Sequence, residues 1–143
     1  MQPQCDYGHC TCHGVVFFLN LHEFPHSIAV AAVPPPHHAL KSGMLTSNEP
    51  GLYRPGKWGI RIESLVINRP VENPEETEFG KFLYFETVTL CPIDTRLIDT
   101  KLMTGSEIEW LHQYHAQVRR RLEPLTEGAA KAWLIARTEP LAR

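Results

Sequence analysis

Four segments in the first 91 residues have the hydrophobic pattern of β-strands. Residues 15–21 (VVFFLNL) form a short β-branched and aromatic run, which is typical of a buried strand. In residues 58–68 (WGIRIESLVIN) apolar and polar side chains alternate, as in a strand with one buried face. The two further candidates are residues 43–48 and 82–91. The pattern therefore predicts a sheet in the first two thirds of the chain.

Prolines and glycines separate these strands. Pro25 is expected to end the first strand, and residues 27–42, with three consecutive prolines, are expected to form a loop. Residues 49–51 (EPG) stop the second strand, and residues 55–56 (PG) mark a turn. Residues 68–78 contain two prolines and four glutamates and are predicted to be an exposed loop.

The C-terminal third changes to a helical pattern. Thr104 is followed three residues later by Glu107, which is a capping box. Apolar residues then recur near the helical period through residues 108–122, and Pro124 ends the run. A second helix is predicted over residues 127–137. Strands first and helices last indicate the α+β class.

Composition narrows the class of function. The 143 residues include 14 Lys and Arg against 16 Asp and Glu, a formal charge of −2, which gives no basis for a nucleic-acid-binding surface or a polybasic membrane anchor. No apolar run approaches the roughly 20 residues of a membrane span, and residues 2–6 lack the basic start of a secretory signal. We therefore expect a cytoplasmic protein with no nucleic-acid or membrane partner.

Histidines and cysteines are concentrated near the N-terminus. Three of the four cysteines precede residue 13, and most of the eight histidines precede residue 39. In a cytosolic chain, such a cluster indicates metal or catalytic chemistry before disulfides. Carboxylates accompany them: Glu49 ends one predicted strand, and Glu63 lies within another, where burial is costly unless the carboxylate is paired or binds a metal. The candidates for a Mn, Co or Zn site are His9, His13, His22, Glu49 and Glu63, against the alternative of ordinary hydrogen-bonded imidazoles.

Several short sequence motifs resemble those of a known family. The segments are YGHCTCHGV (7–15), LNLHEFP (19–25), GML (43–45), SNEPG (47–51), GIRIE (59–63), FETVTL (85–90), PID (92–94), WLHQYH (110–115) and WL (133–134). In this order they are similar to the signature of proline-specific aminopeptidases of the pita-bread metallopeptidase family, specifically the C-terminal part of an Xaa-Pro aminopeptidase. The resemblance implies a partial pita-bread fold, a curved antiparallel or mixed sheet followed by a helical tail. Residues 1–80 would then belong to the catalytic domain, and residues 81–143 would be its last strand and the helical extension.

The resemblance also implies a dinuclear divalent metal site, usually manganese, with zinc or cobalt as alternatives. His13 matches a ligand of one metal, Glu49 a ligand that also faces the attacking water, and Glu63 a ligand that bridges both metals. Arg61 matches a partner that holds the acidic ligands in place. In such a site the metals supply hydroxide at neutral pH and stabilise the tetrahedral intermediate.

Two further histidines match catalytic positions of the family. His9 corresponds to a histidine that contacts the substrate, and His22 to one that moves protons around the scissile amide, beside the catalytic Glu49. The implied substrates are peptides with proline as their second residue.

The sequence departs from the family pattern in two ways. The family uses two aspartate ligands well upstream of His13, and Asp6 cannot replace both. Glycines of the signature are replaced by bulkier residues where close approach or positive φ is needed. The replacements are Cys10, Cys12, Val16 and Phe24. We therefore expect a fragment or remnant that binds metal weakly and is inactive alone.

Two alternatives remain open at this point. The first is a dimerisation or interaction module built on residues 81–143, with Trp110, Tyr114 and Trp133 as anchors; packing within the molecule, helix on sheet, is the favoured interpretation for Trp110. The second is a small zinc protein, although its spacing matches no regular zinc finger. Its ligands would be Cys5, His9, Cys10, Cys12 and His13.

Overall fold

The computed structural model describes residues 11–15, 23–28, 39–75, 78 and 80–141. The chain divides into two compact units, Met1–Thr89 and Leu90–Arg143. We call them the sheet unit and the helical unit. The fold class is α+β, as the order of the patterns predicts.

The sheet unit contains two antiparallel sheets. Five strands pair in the order β2-β1-β3-β6-β7, and β4 pairs with β5 as a separate hairpin. The strands are β1 (Cys12–Gly14), β2 (Glu23–Ile28), β3 (Leu45–Asn48), β4 (Gly51–Arg54), β5 (Trp58–Arg61), β6 (Ser64–Pro70) and β7 (Leu83–Thr87).

The central pairing of the larger sheet is regular and has a buried face. β3 and β6 pair from Leu45 opposite Ile67 to Asn48 opposite Ser64. Because side chains alternate along a strand, Thr46, Val66 and Asn68 share one face, and they are 1%, 7% and 1% exposed. Two of these three buried side chains are polar, which is unusual for the interior of a sheet.

The predicted strand over residues 58–68 was wrong as a single element. It is two strands, β5 and β6, and they belong to different sheets. The tight turn at residues 55–57, with Gly56 at φ 72°, folds β5 back onto β4. β6 instead pairs with β3 and β7. The alternating pattern runs through both strands, so it does not mark the change of partner at residues 62–63.

Other strand boundaries also differ from the predictions. Pro25 does not end a strand but lies within β2, opposite an irregularity where the register with β1 passes from Ser27 to Glu23. A missing N–H is tolerated at such a bulge. Of the loops predicted over 27–42 and 68–78, residues 27–28 belong instead to β2 and residues 68–70 to β6. Residues 29–38 lie outside the described residues.

The predicted strands over 43–48 and 82–91 are shorter than expected, as Leu45–Asn48 and Leu83–Thr87. The strand β4 was not predicted. The strand predicted over 15–21 lies, except for Val15, outside the described residues.

The helical unit begins with two short 3-10 turns, Thr95–Leu97 and Thr100–Leu102. Helix α1 (Gly105–Leu122) follows, then a 3-10 turn (Glu123–Leu125) and helix α2 (Gly128–Arg137). The predicted capping box is confirmed at the start of α1: the Thr104 hydroxyl accepts from the Glu107 N–H, and the Glu107 carboxylate accepts from the Thr104 N–H.

The two helices of this unit pack around a small core. Tyr114, Val118 and Leu134 form its centre, with Leu90, Ile93 and Leu122 partly buried against them. Trp110 stacks on Tyr114 of the same helix, at 5.6 Å between ring centroids, and it is 56% exposed. Among the described residues, no helix is both long and apolar enough to cross a membrane.

Candidate functional site

A histidine and a glutamate from neighbouring strands meet in the sheet unit. His13 lies within β1, and Glu49 directly follows β3. The two strands pair antiparallel, with Gly14 opposite Thr46, and the Glu49 N–H donates to the Thr11 carbonyl over 2.7 Å. This pairing brings Nε2 of His13 to 3.2 Å from Oε1 of Glu49, although the residues are far apart in sequence. Glu49 is only 7% exposed.

A contact between Nδ1 and a backbone carbonyl orients the imidazole of His13. Nδ1 lies 2.9 Å from the carbonyl oxygen of Gly14. A carbonyl oxygen can only accept, so this contact is a hydrogen bond in the tautomer that carries its proton on Nδ1. In that tautomer the lone pair of Nε2, which lies 3.2 Å from Oε1 of Glu49, is available to a cation. A metal-binding histidine commonly has this arrangement, with the other ring N–H held by a backbone carbonyl.

An arginine joins the two glutamates of the site. Arg61, at the end of β5, places Nη1 2.9 Å from Oε2 of Glu49 and 3.9 Å from Oε2 of Glu63. Its Nε donates to the Tyr53 hydroxyl over 2.6 Å. This hydrogen bond, reinforced by the negative charges of Glu49 and Glu63, raises the pKa of Arg61 above its ordinary value. Arg61 is thus a permanent cation between two carboxylates.

Two glycines make room for this arginine contact. In the β4–β5 hairpin, Gly51 is opposite Arg61 and Tyr53 is opposite Gly59. A Cβ atom would lie 2.5 Å from the Tyr53 hydroxyl oxygen at Gly51 and 2.7 Å from the Tyr53 ring at Gly59. The ring can therefore lie along the hairpin only because both positions are glycine.

The structure brings together part of the predicted site. His13 and Arg61 both contact Glu49, whereas Glu63 is linked to this group through Arg61 and its side chain is 45% exposed. The prediction placed Glu63 within a strand, but it lies in the connection between β5 and β6. His9 and His22 lie outside the described residues.

Two residues of the site were not singled out from the sequence. Ser47 contacts both His13 and Glu49, and Tyr53 holds Arg61. For Tyr53 a signal exists in the two strand glycines, which mark a close approach. Ser47 belongs to the SNEPG segment, but the segment does not indicate its contacts, because these depend on the register between β1 and β3.

The donor atoms present fit one end of a metal site. Ligands at about 2.0–2.2 Å from a metal and at angles near 90–110° lie about 2.8–3.6 Å apart. The 3.2 Å between Nε2 of His13 and Oε1 of Glu49 falls in this interval, and imidazole with carboxylate is a donor set for Mn, Co or Zn. Within the described ranges, no group of three or more His, Cys, Asp or Glu side chains could hold a metal.

The zinc-protein alternative gains no support. Of its five residues only Cys12 and His13 are described, and the side chain of Cys12 is buried. Cys5, His9 and Cys10 lie outside the described residues.

Comparison with known proteins gives a consistent picture. Residues 3–69 match the model of metallopeptidase family M24, and residues 81–141 match the model of the C-terminal region of peptidase M24. A probable Xaa-Pro aminopeptidase P of Laccaria bicolor is 45% identical over 98% of this chain, and aminopeptidase P2 of Arabidopsis thaliana is 42% identical over 96%. These matches cover 22% and 19% of the relatives, so the chain spans about a fifth of their length.

A solved structure extends the likeness to three dimensions. An X-prolyl aminopeptidase from Caenorhabditis elegans, described as a cytosolic enzyme with a di-nuclear active site, superposes with a TM-score of 0.82 at 33% identity. The match covers 96% of this chain and 22% of that one. The antiparallel sheets and two helices thus correspond to a partial pita-bread fold, as expected from the motifs. The chain therefore belongs to metallopeptidase family M24, in which it corresponds to the C-terminal part of the Xaa-Pro aminopeptidases.

Proposed function

We propose that this chain supplies the C-terminal part of a dinuclear metal site that releases the N-terminal residue of a peptide when proline follows it. The observation that carries the proposal is the contact between Nε2 of His13 and Oε1 of Glu49, made by two residues that the family motif assigns to a metal. Its relatives of known structure and name are Xaa-Pro aminopeptidases.

Each residue of the site has a role that follows from its contacts. His13 and Glu49 would hold one ion, and Glu63 would reach both. Bound divalent ions, with manganese as the first candidate and zinc or cobalt as alternatives, supply a Lewis acid for the attack of water on the peptide carbonyl. Arg61 holds the carboxylate of Glu49 in one orientation through its 2.9 Å contact, so that Oε1 stays directed at His13.

Two histidines complete the catalytic set by resemblance. We assign substrate contact to His9 and proton transfer at the scissile amide to His22. A histidine suits the second task because its neutral and protonated forms are both accessible near neutral pH.

We also propose that this stretch is inactive by itself. Its motif residues provide three ligands for two metal positions, and the described part of the chain contains no three-donor group. Activity would then require a polypeptide that also carries the two aspartates of the family site.

We also propose that the catalytic domain ends at residue 80 and the helical extension begins at residue 81. The ranges of the two family models, residues 3–69 and 81–141, support this division. A cytosolic location is proposed on the description of the Caenorhabditis elegans enzyme.

The test uses the chain alone and a chimera. In the chimera, this chain replaces the stretch that it matches in the Laccaria bicolor relative. With added Mn²⁺, the chain alone should not cleave an Arg-Pro-Pro peptide, and the chimera should release its N-terminal arginine. His13→Ala should abolish this release, and His112→Ala, in the helical unit, should leave it unchanged.

Two outcomes would contradict the proposal. Turnover by the chain alone, lost with His13→Ala, would refute its inactivity. A folded chimera that binds Mn²⁺ but cleaves no Xaa-Pro peptide would refute the assigned reaction.

A further inference from the structure

We propose that Ser47 is a positioning residue of this site, whose buried hydroxyl fixes the separation between the two metal-binding side chains of His13 and Glu49. The inference rests on the proposed function, because it concerns the same pair of ligands. It adds a residue that neither the motif nor the charge pattern assigns to the site.

The strand register places Ser47 directly beside His13. Gly14 pairs with Thr46 between β1 and β3, and the next pair in this antiparallel register is His13 with Ser47. At this position the His13 N–H donates to Oγ of Ser47 over 3.0 Å. A side chain of β3 therefore holds the backbone of the histidine that presents its imidazole to the carboxylate.

The same hydroxyl contacts the second ligand. Oγ of Ser47 can donate its single proton to Oε1 of Glu49, at 3.2 Å, or to the His13 carbonyl, at 3.4 Å. Oε1 is the oxygen that lies 3.2 Å from Nε2 of His13. A hydrogen bond from Ser47 occupies one of its two lone pairs and leaves the other for the imidazole side.

The contact between Ser47 and Glu49 is buried. Ser47 is 0% exposed and Glu49 is 7% exposed, so water cannot readily replace the hydroxyl, and a carboxylate that loses a buried donor pays a desolvation cost. Arg61 holds Oε2 from the opposite side. With Ser47 removed, the Glu49 carboxylate could rotate about Oε2, and the distance from Oε1 to Nε2 of His13 would no longer be fixed.

The neighbouring residue provides a matched control. Thr46 precedes Ser47 on β3 and is equally buried, at 1% exposure, but its Oγ1 has no hydrogen-bond partner among the described residues. Thr46→Val removes a buried hydroxyl from the same strand at nearly constant volume, and the two ligands are not touched. A difference between Ser47→Ala and Thr46→Val therefore reports on the contacts of Ser47 and not on the loss of a buried oxygen.

The first readout needs no metal. In the isotope-labelled chain, we expect Ser47→Ala to shift the His13 amide signal and to speed its hydrogen exchange, and to move the ¹⁵N shifts of the His13 ring toward those of a free imidazole. Ser47→Thr, which keeps the hydroxyl, should restore the original spectrum in large part. Thr46→Val should leave the His13 signals unchanged.

The second readout is the Mn²⁺ concentration that half-saturates the chimera described above. Loss of a hydrogen-bond partner of a metal ligand typically lowers metal affinity 10–100-fold, so Ser47→Ala should raise this concentration by about tenfold or more. Ser47→Thr should stay near the parent value, and Thr46→Val should match it.

Each remaining outcome is decisive. If the parent chimera is active and Ser47→Ala matches it in Mn²⁺ half-saturation and His13 spectrum, the role of Ser47 is refuted and the proposed function stands. If the folded parent chimera is inactive, the proposed function fails on its own. If Ser47→Ala unfolds the sheet unit and Thr46→Val does not, the hydroxyl supports the fold and not the site, and the inference is overturned.

Discussion

The buried His115 of α1 makes the helical unit sensitive to pH. It is 2% exposed, and its Nε2 accepts a hydrogen bond from the Ile93 N–H over 3.1 Å. Burial, followed by the nearby charges of His112 and Arg119, lowers the pKa of His115 below its ordinary value. The neutral ring is thus the form that the fold requires, since a protonated Nε2 could not accept from Ile93.

The helical unit should therefore lose stability on acidification. An unfolded histidine has a pKa of about 6.5, and the folded His115 titrates below that value. The unfolded state consequently binds more protons as the pH falls below about 6.5, so the stabilisation is complete above this pH and decreases below it. Urea unfolding followed through the amide signals of α1 at several pH values measures the effect.

Two variants sharpen this pH test. His115→Gln keeps a side-chain acceptor that does not protonate, and it should flatten the acid loss. His112→Gln removes a repulsive charge, which should raise the pKa of His115 and reduce the loss in part. An NMR titration in which folded His115 protonates at or above pH 6.5 would contradict the prediction.

At the scale of residues, the sequence predicts which side chains lie near one another better than it predicts how they are connected. The motif residues His13 and Arg61 both contact Glu49. Their connection through Ser47 depends on a pairing between residues 34 positions apart in the chain. No local pattern reports such a register, because period-two alternation is unchanged when one strand slides by two residues along its partner.

Among the elements, helix α1 has a start signal that can be tested directly. Oγ1 of Thr104 accepts from the Glu107 N–H at 3.3 Å, and the Thr104 N–H donates to Oε2 of Glu107 at 2.7 Å. Thr104→Ala should destabilise the helical unit by about 1 kcal/mol, the usual effect of losing an N-cap. Denaturant unfolding monitored by helical circular dichroism provides the measurement.

The control for this element is the conservative replacement. Thr104→Ser keeps a hydroxyl at the N-cap and should retain nearly all of the stability. Equal losses for Thr104→Ala and Thr104→Ser would show that the threonine methyl, and not the cap, stabilises the helix.

Helices were predicted more accurately than strands, and the reason is physical. The bounds of α1 follow from a cap and a proline that act within a few residues. The division of residues 58–68 into β5 and β6 depends instead on which distant strand each half pairs with. The ends of a strand depend on the strands with which it pairs, so its own sequence does not determine them.

On the scale of the whole molecule, the sheet unit exposes apolar side chains that folded proteins normally cover. On β7, Leu83, Tyr84 and Phe85 are 38%, 52% and 50% exposed. β7 is the last strand of the larger sheet among the described residues. Trp58 and Ile60 of the β4–β5 hairpin are 52% and 45% exposed. Exposed apolar side chains on a strand at the edge of a sheet favour association.

The chain alone should therefore self-associate at micromolar concentration. Light scattering after size-exclusion chromatography should report a mass above that of the monomer. Phe85→Lys places a charge on the exposed strand and should shift the distribution toward monomer. Leu97→Lys changes a residue that is 81% exposed in the helical unit and should have no such effect.

This prediction separates the two surfaces. A stable monomer of the unmodified chain would contradict it. Restoration of the monomer by Leu97→Lys alone would assign the association to the helical unit, in line with the dimerisation alternative.

The β4–β5 hairpin has a consequence for the order in which the site assembles during folding. Glu49 precedes this hairpin and Glu63 follows it, with Arg61 paired opposite Gly51. A hairpin closes in about 1–10 μs, whereas His13 arrives through a pairing that encloses a much longer loop and therefore forms later. We expect the two carboxylates to meet the arginine first. During folding, Arg61 would therefore neutralise part of the negative charge of the two glutamates before His13 reaches them. The site would become able to bind a divalent ion only after His13 has joined it.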